Sequence, residues 1–166
     1  MPDSTRTILL ATDMSLHSSV AIDWAVEHLI RDGDHLVLLH TVQETPLNVD
    51  PDFSDIGMSA VCADTEAMQE IIESARASLQ ATASDLRARL AKRSDIHVAT
   101  EILCGAPGPS ILAKVQEHSP AMVVVGTHGR TGLTSLLMGS VSSYVHEQCK
   151  SCPVILVRSQ MMMDSR

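Results

Sequence analysis

Aromatic side chains are nearly missing from this 166-residue chain: Trp24, Phe53 and Tyr144 are the whole complement. Three rings cannot build a base-stacking platform, and the core must be aliphatic. Basic residues are also scarce, 12 Lys and Arg against 20 Asp and Glu, for a net charge of −8. An acidic surface repels phosphate backbones, which argues against a nucleic-acid binder. It leaves open a small phosphorylated ligand held in a local pocket. No apolar run reaches the roughly 18 residues of a membrane span. The opening MPDSTRTILLATD has no basic stretch before a long apolar one, so the expectation is a cytoplasmic protein without signal peptide or membrane attachment. Four cysteines are too few for a disulfide scaffold.

What the chain does have is a regular alternation. Short apolar runs at 7–12, 36–42, 121–126 and 153–158, with a looser one at 96–103, read as strands buried on both faces. Between them lie helical patterns at 17–31, 63–92, 108–118 and 139–150. In the first, Val20, Ala21, Trp24, Ala25 and Leu29 form a stripe. In the second, Met68, Ile71, Ile72, Ala75, Leu79, Leu86 and Leu90 share a helical period, with Asp64 or Thr65 as cap. Pro109 suits the first turn of the third. The order β-α-β-loop-α-β-α-β-α-β, joined by right-handed crossovers, gives one α/β domain over 1–158 with helices on both faces of a parallel sheet. Residues 43–62, with Pro46, Pro51 and three aspartates, form a long variable loop. Residues 159–166 are a patternless, flexible tail.

Open parallel sheets bind ligands beyond the carboxyl ends of their strands. Here the strand ends read Ala11-Thr12-Asp13, His40-Thr41-Val42 and Gly126-Thr127-His128-Gly129-Arg130-Thr131-Gly132. The last continues to Gly139-Ser140-Val141-Ser142, which opens the final helix. Glycines allow close backbone approach. A helix start offers unpaired N–H groups and a positive dipole end, and the serines add hydroxyls. Neither G-x-x-x-x-G-K-[ST] nor G-x-G-x-x-G occurs, so this is neither a P-loop nor a dinucleotide fingerprint.

The spacing Gly126-x2-Gly129-x9-Gly139-Ser140 resembles the nucleotide motif of the ATP-binding branch of the universal stress protein family. The resemblance runs through ILLATDMS with Asp13, LLHTV at 38–42, Gly105-Ala106-Pro107, VVVGTHGRTGL at 123–133 and CPVILV at 152–157. It implies an open five-stranded parallel sheet of order 3-2-1-4-5, adenine-nucleotide α-hydrolase-like, with two helices on each face. It implies that Asp13 holds the ribose hydroxyls and that Thr41 meets adenine through its backbone. Gly126, His128, Gly129 and Arg130 would wrap the ribose and α-phosphate, and Gly139, Ser140, Val141 and Ser142 the remaining phosphates. Relatives usually carry a β-branched aliphatic at the Thr41 position and Pro at the Ala11 position. The family commonly dimerises through its last strand, here 153–158.

Other residues read more plainly. Asp13 has Ser15 and Ser18 as rivals for capping the first helix. His40 reads as a satisfied core histidine. Cys149-Lys150-Ser151-Cys152 is a C-x-x-C, but it closes a helix, whereas thioredoxin-type pairs open one. His146 with both cysteines offers three zinc ligands and no fourth, so no metal site is assigned. Cys62 and Cys104 are single thiols, the second expected to be buried. Segments 126–132 and 139–143 hold no carboxylate, so Mg²⁺ would be held by phosphate and water, and hydrolysis should be slow or absent. The expected function is that of an ATP-binding, nucleotide-responsive regulator or stress-tolerance factor, a homodimer with a further protein partner. A slow ATPase or adenylyl-transfer enzyme, and a chaperone-like dimer independent of nucleotide, are the competing readings.

Overall fold

A computed structural model describes residues 5–43, 65–127 and 138–158. Along these residues run β1 (Thr7–Ala11), α1 (Leu16–His28), β2 (His35–Val42), α2 (Thr65–Leu90), β3 (His97–Cys104), α3 (Pro107–His118), β4 (Met122–Gly126), α4 (Ser140–Gln148) and β5 (Val154–Val157). The strands form one five-stranded sheet of order β3-β2-β1-β4-β5. Every pairing is parallel.

The aliphatic runs form strands because both of their faces are covered. Ile8, Leu10, Leu36, Leu38 and Val124 meet Ala21, Ile22 and Ala25 of α1 and Leu79, Ala83 and Leu86 of α2. Their neighbours Leu9, Val37, Leu39, Val123 and Val125 meet Ile111 and Val115 of α3 and Val145 of α4. Consecutive strand residues point to opposite faces, so an unbroken apolar run feeds two cores at once. In register, Leu9 sits between Val37 and Val123 in the middle of the sheet.

The helices differ from the sequence reading in detail. The buried stripe of α1 is Ser18, Ala21, Ile22 and Ala25, while Val20 and Trp24 lie half-buried at its flank. The first half of α2 contributes little to the core: none of residues 66–78 is buried, and Ile71 is 49% exposed. At 1.5 Å per residue, a 26-residue helix outruns the eight-residue strands it packs on, so one end overhangs. Cys104, expected to be buried, is exposed, because it ends the edge strand β3. His40 is a buried, satisfied histidine whose Nδ1 lies 2.9 Å from the Thr12 carbonyl. Of the two cap candidates, Thr65 is the first residue of α2, while Asp64, most of the 43–62 stretch and residues 159–166 fall outside what the structure describes.

The amino end of the sheet is locked by one ion pair. Arg6, just before β1, donates from Nε and Nη2 to both carboxylate oxygens of Asp34, just before β2, at 2.9 and 2.7 Å. Asp34 is 3% exposed and also accepts the Arg31 N–H at 2.8 Å. Arg6 Nη2 further donates to the Leu29 carbonyl. The hydrogen bond to Asp34 and its charge hold the Arg6 guanidinium's pKa above its ordinary value, against the opposing effect of burial. Truncating Asp34 removes a two-pronged charged contact and a backbone bond together. Asp34→Ala should lower unfolding stability by about 2–3 kcal/mol in urea melts, whereas loss under ~0.5 kcal/mol would show the pair to be ornamental.

Candidate functional site

The strand order reverses at β1, whose neighbours are β2 on one side and β4 on the other. Chains leaving β1 and β4 therefore diverge, and a crevice opens at their carboxyl ends. A cavity of about 170 Å³ lies there, bounded by the ends of β1, β2 and β4 and the starts of α3 and α4.

Each wall has a local cause. After β1, Thr12 still pairs with β2 through its N–H to the Leu39 carbonyl, 2.9 Å. Its hydroxyl lies 2.9 Å from that of buried Ser18 and accepts the Met14 N–H at 3.0 Å. Met14 takes a φ of 61°, which turns the chain sharply and leaves Asp13 at the cavity edge. Asp13 Oδ1 accepts the Ser15 N–H at 3.0 Å. Ser15 itself caps α1, accepting the Ser18 N–H, so capping falls to Ser15 and not to Asp13.

Thr127 builds the opposite wall. Its N–H donates to the Val157 carbonyl at 2.9 Å, and its own carbonyl accepts the Gly139 N–H at 2.8 Å. That second bond draws the N-terminus of α4 against the end of β4. A Cβ at Gly139 would lie 3.2 Å from the Thr127 oxygen, so this approach is tight for any larger residue. Gly139 caps α4 with no side-chain hydrogen bond. The first N–H groups of the helix therefore have neither an intrahelical acceptor nor a side-chain cap, and with the dipole they make an anion-attracting end.

Of the ten residues assigned from sequence, Asp13, Thr41, Gly126, Gly139, Ser140, Val141 and Ser142 line the cavity. His128, Gly129 and Arg130 lie outside the described residues. Ser140 is exposed at the helix start, whereas Ser142 is buried and donates its hydroxyl to the Gly139 carbonyl at 2.9 Å. Sequence reasoning missed the apolar half of the cavity, formed by Leu39, Pro107, Ile111 and Val125. The signal was available: Pro107 follows the Gly105-Ala106 turn at another strand end, and Gly105 takes a φ of 108° there. The resulting crevice combines polar groups, Asp13 and the α4 N-terminus, with apolar ones.

Two polar clusters lie outside it. Glu101 of β3 meets His118 Nε2 at 2.7 Å and Lys114 Nζ at 2.8 Å, and Lys114 reaches Glu117 at 2.7 Å. Burial acts to raise the Glu101 pKa, but the bonds and charges of Lys114 and His118 outweigh it and hold it below the ordinary 4.5. Glu101, Glu117 and His118 form the one group of three metal-ligating side chains within 4.8 Å found among the described residues. The Lys114 ammonium already lies against both carboxylates, so the cluster reads as an ion-pair network joining β3 to α3. His146, Cys149 and Cys152 do not form such a group. The two cysteines do meet, Sγ to Sγ, at 3.7 Å.

The chain matches the model of the universal stress protein family over residues 4–158. It is 33% identical over 156 residues to a universal stress protein of Mycolicibacterium smegmatis, covering 94% of this chain and 47% of that one. To the universal stress protein PHOS32 of Arabidopsis thaliana it is 31% identical, covering 92% and 64%. It thus spans about half to two thirds of the length of these relatives. Among solved structures, the universal stress protein UspA from Lactobacillus plantarum superposes with a TM-score of 0.70 at 22% identity, covering 92% and 97%. A universal stress protein in complex with cAMP gives 0.61 at 21% identity, covering 93% and 97%. A family protein of Arabidopsis thaliana with AMP bound gives 0.56 at 18%, covering 92% and 91%. No helix among the described residues is long and apolar enough to cross a membrane.

Two outcomes follow from the packing of α3 against α4 and β3. A Cβ on Gly108 would sit 2.5 Å from Tyr144 Cδ1 and 2.9 Å from Cγ, where α3 crosses α4. Gly108→Ala should cost about 1–3 kcal/mol, and much less in a Tyr144→Ala background, in paired urea melts. An equal cost in both backgrounds would place the strain elsewhere. Because the folded Glu101 pKa is depressed, its contribution is present above the unfolded value and is lost as pH falls through the folded one. Stability of the parent should therefore drop more steeply below pH 4.5 than that of Glu101→Gln. Parallel pH profiles would contradict the network.

Proposed function

The chain belongs to the universal stress protein family, and on that footing we propose that it binds an adenine nucleotide, ATP with Mg²⁺, in the crevice between β1 and β4. The observation that carries this reading is that Asp13 and the uncapped start of α4 line one cavity. Phosphates suit the α4 N–H groups. A ribose suits Asp13, whose carboxylate can accept from both hydroxyls. The apolar side, with Leu39, Pro107 and Ile111, suits a flat base near the Thr41 backbone. His128, Gly129 and Arg130 complete the α-phosphate side in this reading, with Arg130 as a charge-assisted donor. The relatives solved with cAMP and with AMP support the adenine preference.

Asp13 is the one carboxylate among the described residues lining the cavity. Mg²⁺ would then be held chiefly by phosphate oxygens and water, a mode it tolerates well. A site with so few protein ligands suits retention of nucleotide better than turnover, so the proposed role is nucleotide-responsive regulation of a partner protein. The assembly is a homodimer through 153–158. In support, β5 is an edge strand whose Val154, Ile155 and Leu156 are only half-buried.

Mg-ATP at 100 times its Kd should stabilise the fold by about 2.7 kcal/mol, which for a chain of this length is a rise in Tm of about 5–10 °C. Asp13→Ala and Gly129→Val should each abolish most of that rise in differential scanning fluorimetry. An equal rise in parent and variants, or none with any adenine nucleotide, would overturn the reading.

A further inference from the structure

We propose that Cys149 and Cys152 are a redox-active dithiol that closes to an intrachain disulfide by exchange with a low-molecular-weight disulfide. The pair stands at the far end of α4 from the nucleotide crevice, in the connection that leads into β5. Cys149 is the C-cap of α4, its N–H held by the Val145 carbonyl at 2.9 Å. Beyond Cys152, the Pro153 carbonyl accepts the Val123 N–H at 3.0 Å, which pins the other end of the turn to β4. Both ends are thus fixed, and the two sulfurs face each other at 3.7 Å, with Cys149 Sγ also donating to the Cys152 carbonyl. A disulfide needs about 2.05 Å between sulfurs, so closure asks for an approach of roughly 1.7 Å. Closure by side-chain rotation would leave the anchoring backbone bonds in place.

The surroundings favour a thiol pair over a metal site. Both cysteines are half-buried against the α3–α4 core, open enough for a small reagent to reach. Two thiols give two ligands, and His146 is not assembled with them. The helix end also separates this pair from the oxidising kind. A C-x-x-C at a helix N-terminus has its thiolate stabilised by the dipole; here the dipole's negative end lies against Cys149. Burial, followed by the Cys149 hydrogen bond and charge, pushes the Cys152 thiol up to about 11. The first attack is accordingly assigned to Cys149 and the resolving step to Cys152.

The exchange balances in two steps. The Cys149 thiolate attacks one sulfur of the reagent RSSR, forming a mixed disulfide and releasing RS⁻, which takes up the proton Cys149 lost. Cys152 then gives up its proton, attacks the Cys149 sulfur and releases the second RS⁻, which is protonated in turn. Two electrons pass from the dithiol to the reagent, which leaves as two RSH.

The test uses the full chain in a background with Cys62→Ser and Cys104→Ser, incubated with millimolar oxidised glutathione. Acid quenching, alkylation and peptide mass spectrometry follow. The expected product is a 149–152 linked peptide with both thiols lost together and restored by dithiothreitol. In Cys152→Ser the reaction should stop as a glutathione adduct on Cys149, an adduct that is about tenfold rarer in the parent because Cys152 resolves it. Two thiols that remain alkylatable, or an adduct equally abundant in the parent and in Cys152→Ser, would overturn the proposal. The readout contains no nucleotide, so it stands or falls apart from the crevice reading.

Discussion

Thr127 ties three elements together through its two backbone groups. Its N–H reaches β5 at Val157, and its carbonyl receives the Gly139 N–H at the start of α4. Without the second bond, α4 could pack on its apolar face at many positions along β4. With it, the N-terminus of the helix is set beside the carboxyl ends of β1 and β4. The tight fit at Gly139, 3.2 Å from its virtual Cβ to the Thr127 oxygen, is the steric counterpart of that bond. Gly139 thereby decides where the anion-attracting end of a helix points.

The sheet makes this placement useful. A strand order that reverses at β1 leaves a gap at the carboxyl edge that no crossover helix fills. The amino edge is closed instead, by Arg6 and Asp34 beneath β1 and β2. Rigidity is thus concentrated at one end of the sheet and access at the other. The left-handed Met14 and the Thr12–Ser18 hydroxyl pair extend this logic, since they turn the chain out of β1 within a few residues. Asp13 is left at the cavity edge while Ser15 takes over capping.

Much of this was legible in the sequence. Unbroken runs such as Leu36–Leu39 and Val123–Val125 can only be strands covered on both faces, and their alternation with helices fixes a parallel sheet. The glycine spacing from Gly126 to Gly139 marked one border of the crevice, because glycine there answers to close backbone approach. The apolar side of the crevice was harder to see. Leu39, Ile111 and Val125 look like any other core residues, and only the fold shows that each borders a cavity. Cys104 was misplaced for a related reason: periodicity tells which face a residue takes, but not that β3 is an edge. The overhang of α2 was likewise hidden, since Met68, Ile71 and Ile72 keep a helical period past the point where sheet remains beneath them.

The central claim is that a nucleotide phosphate sits at the α4 N-terminus, and backbone amide NMR of nucleotide-stripped protein tests it most directly. On addition of Mg-ATP, the amide resonances of Gly126, Ser140, Val141 and Ser142 should shift most, with saturation at one nucleotide per chain. Large shifts confined to other elements, or none at millimolar nucleotide, would contradict the account.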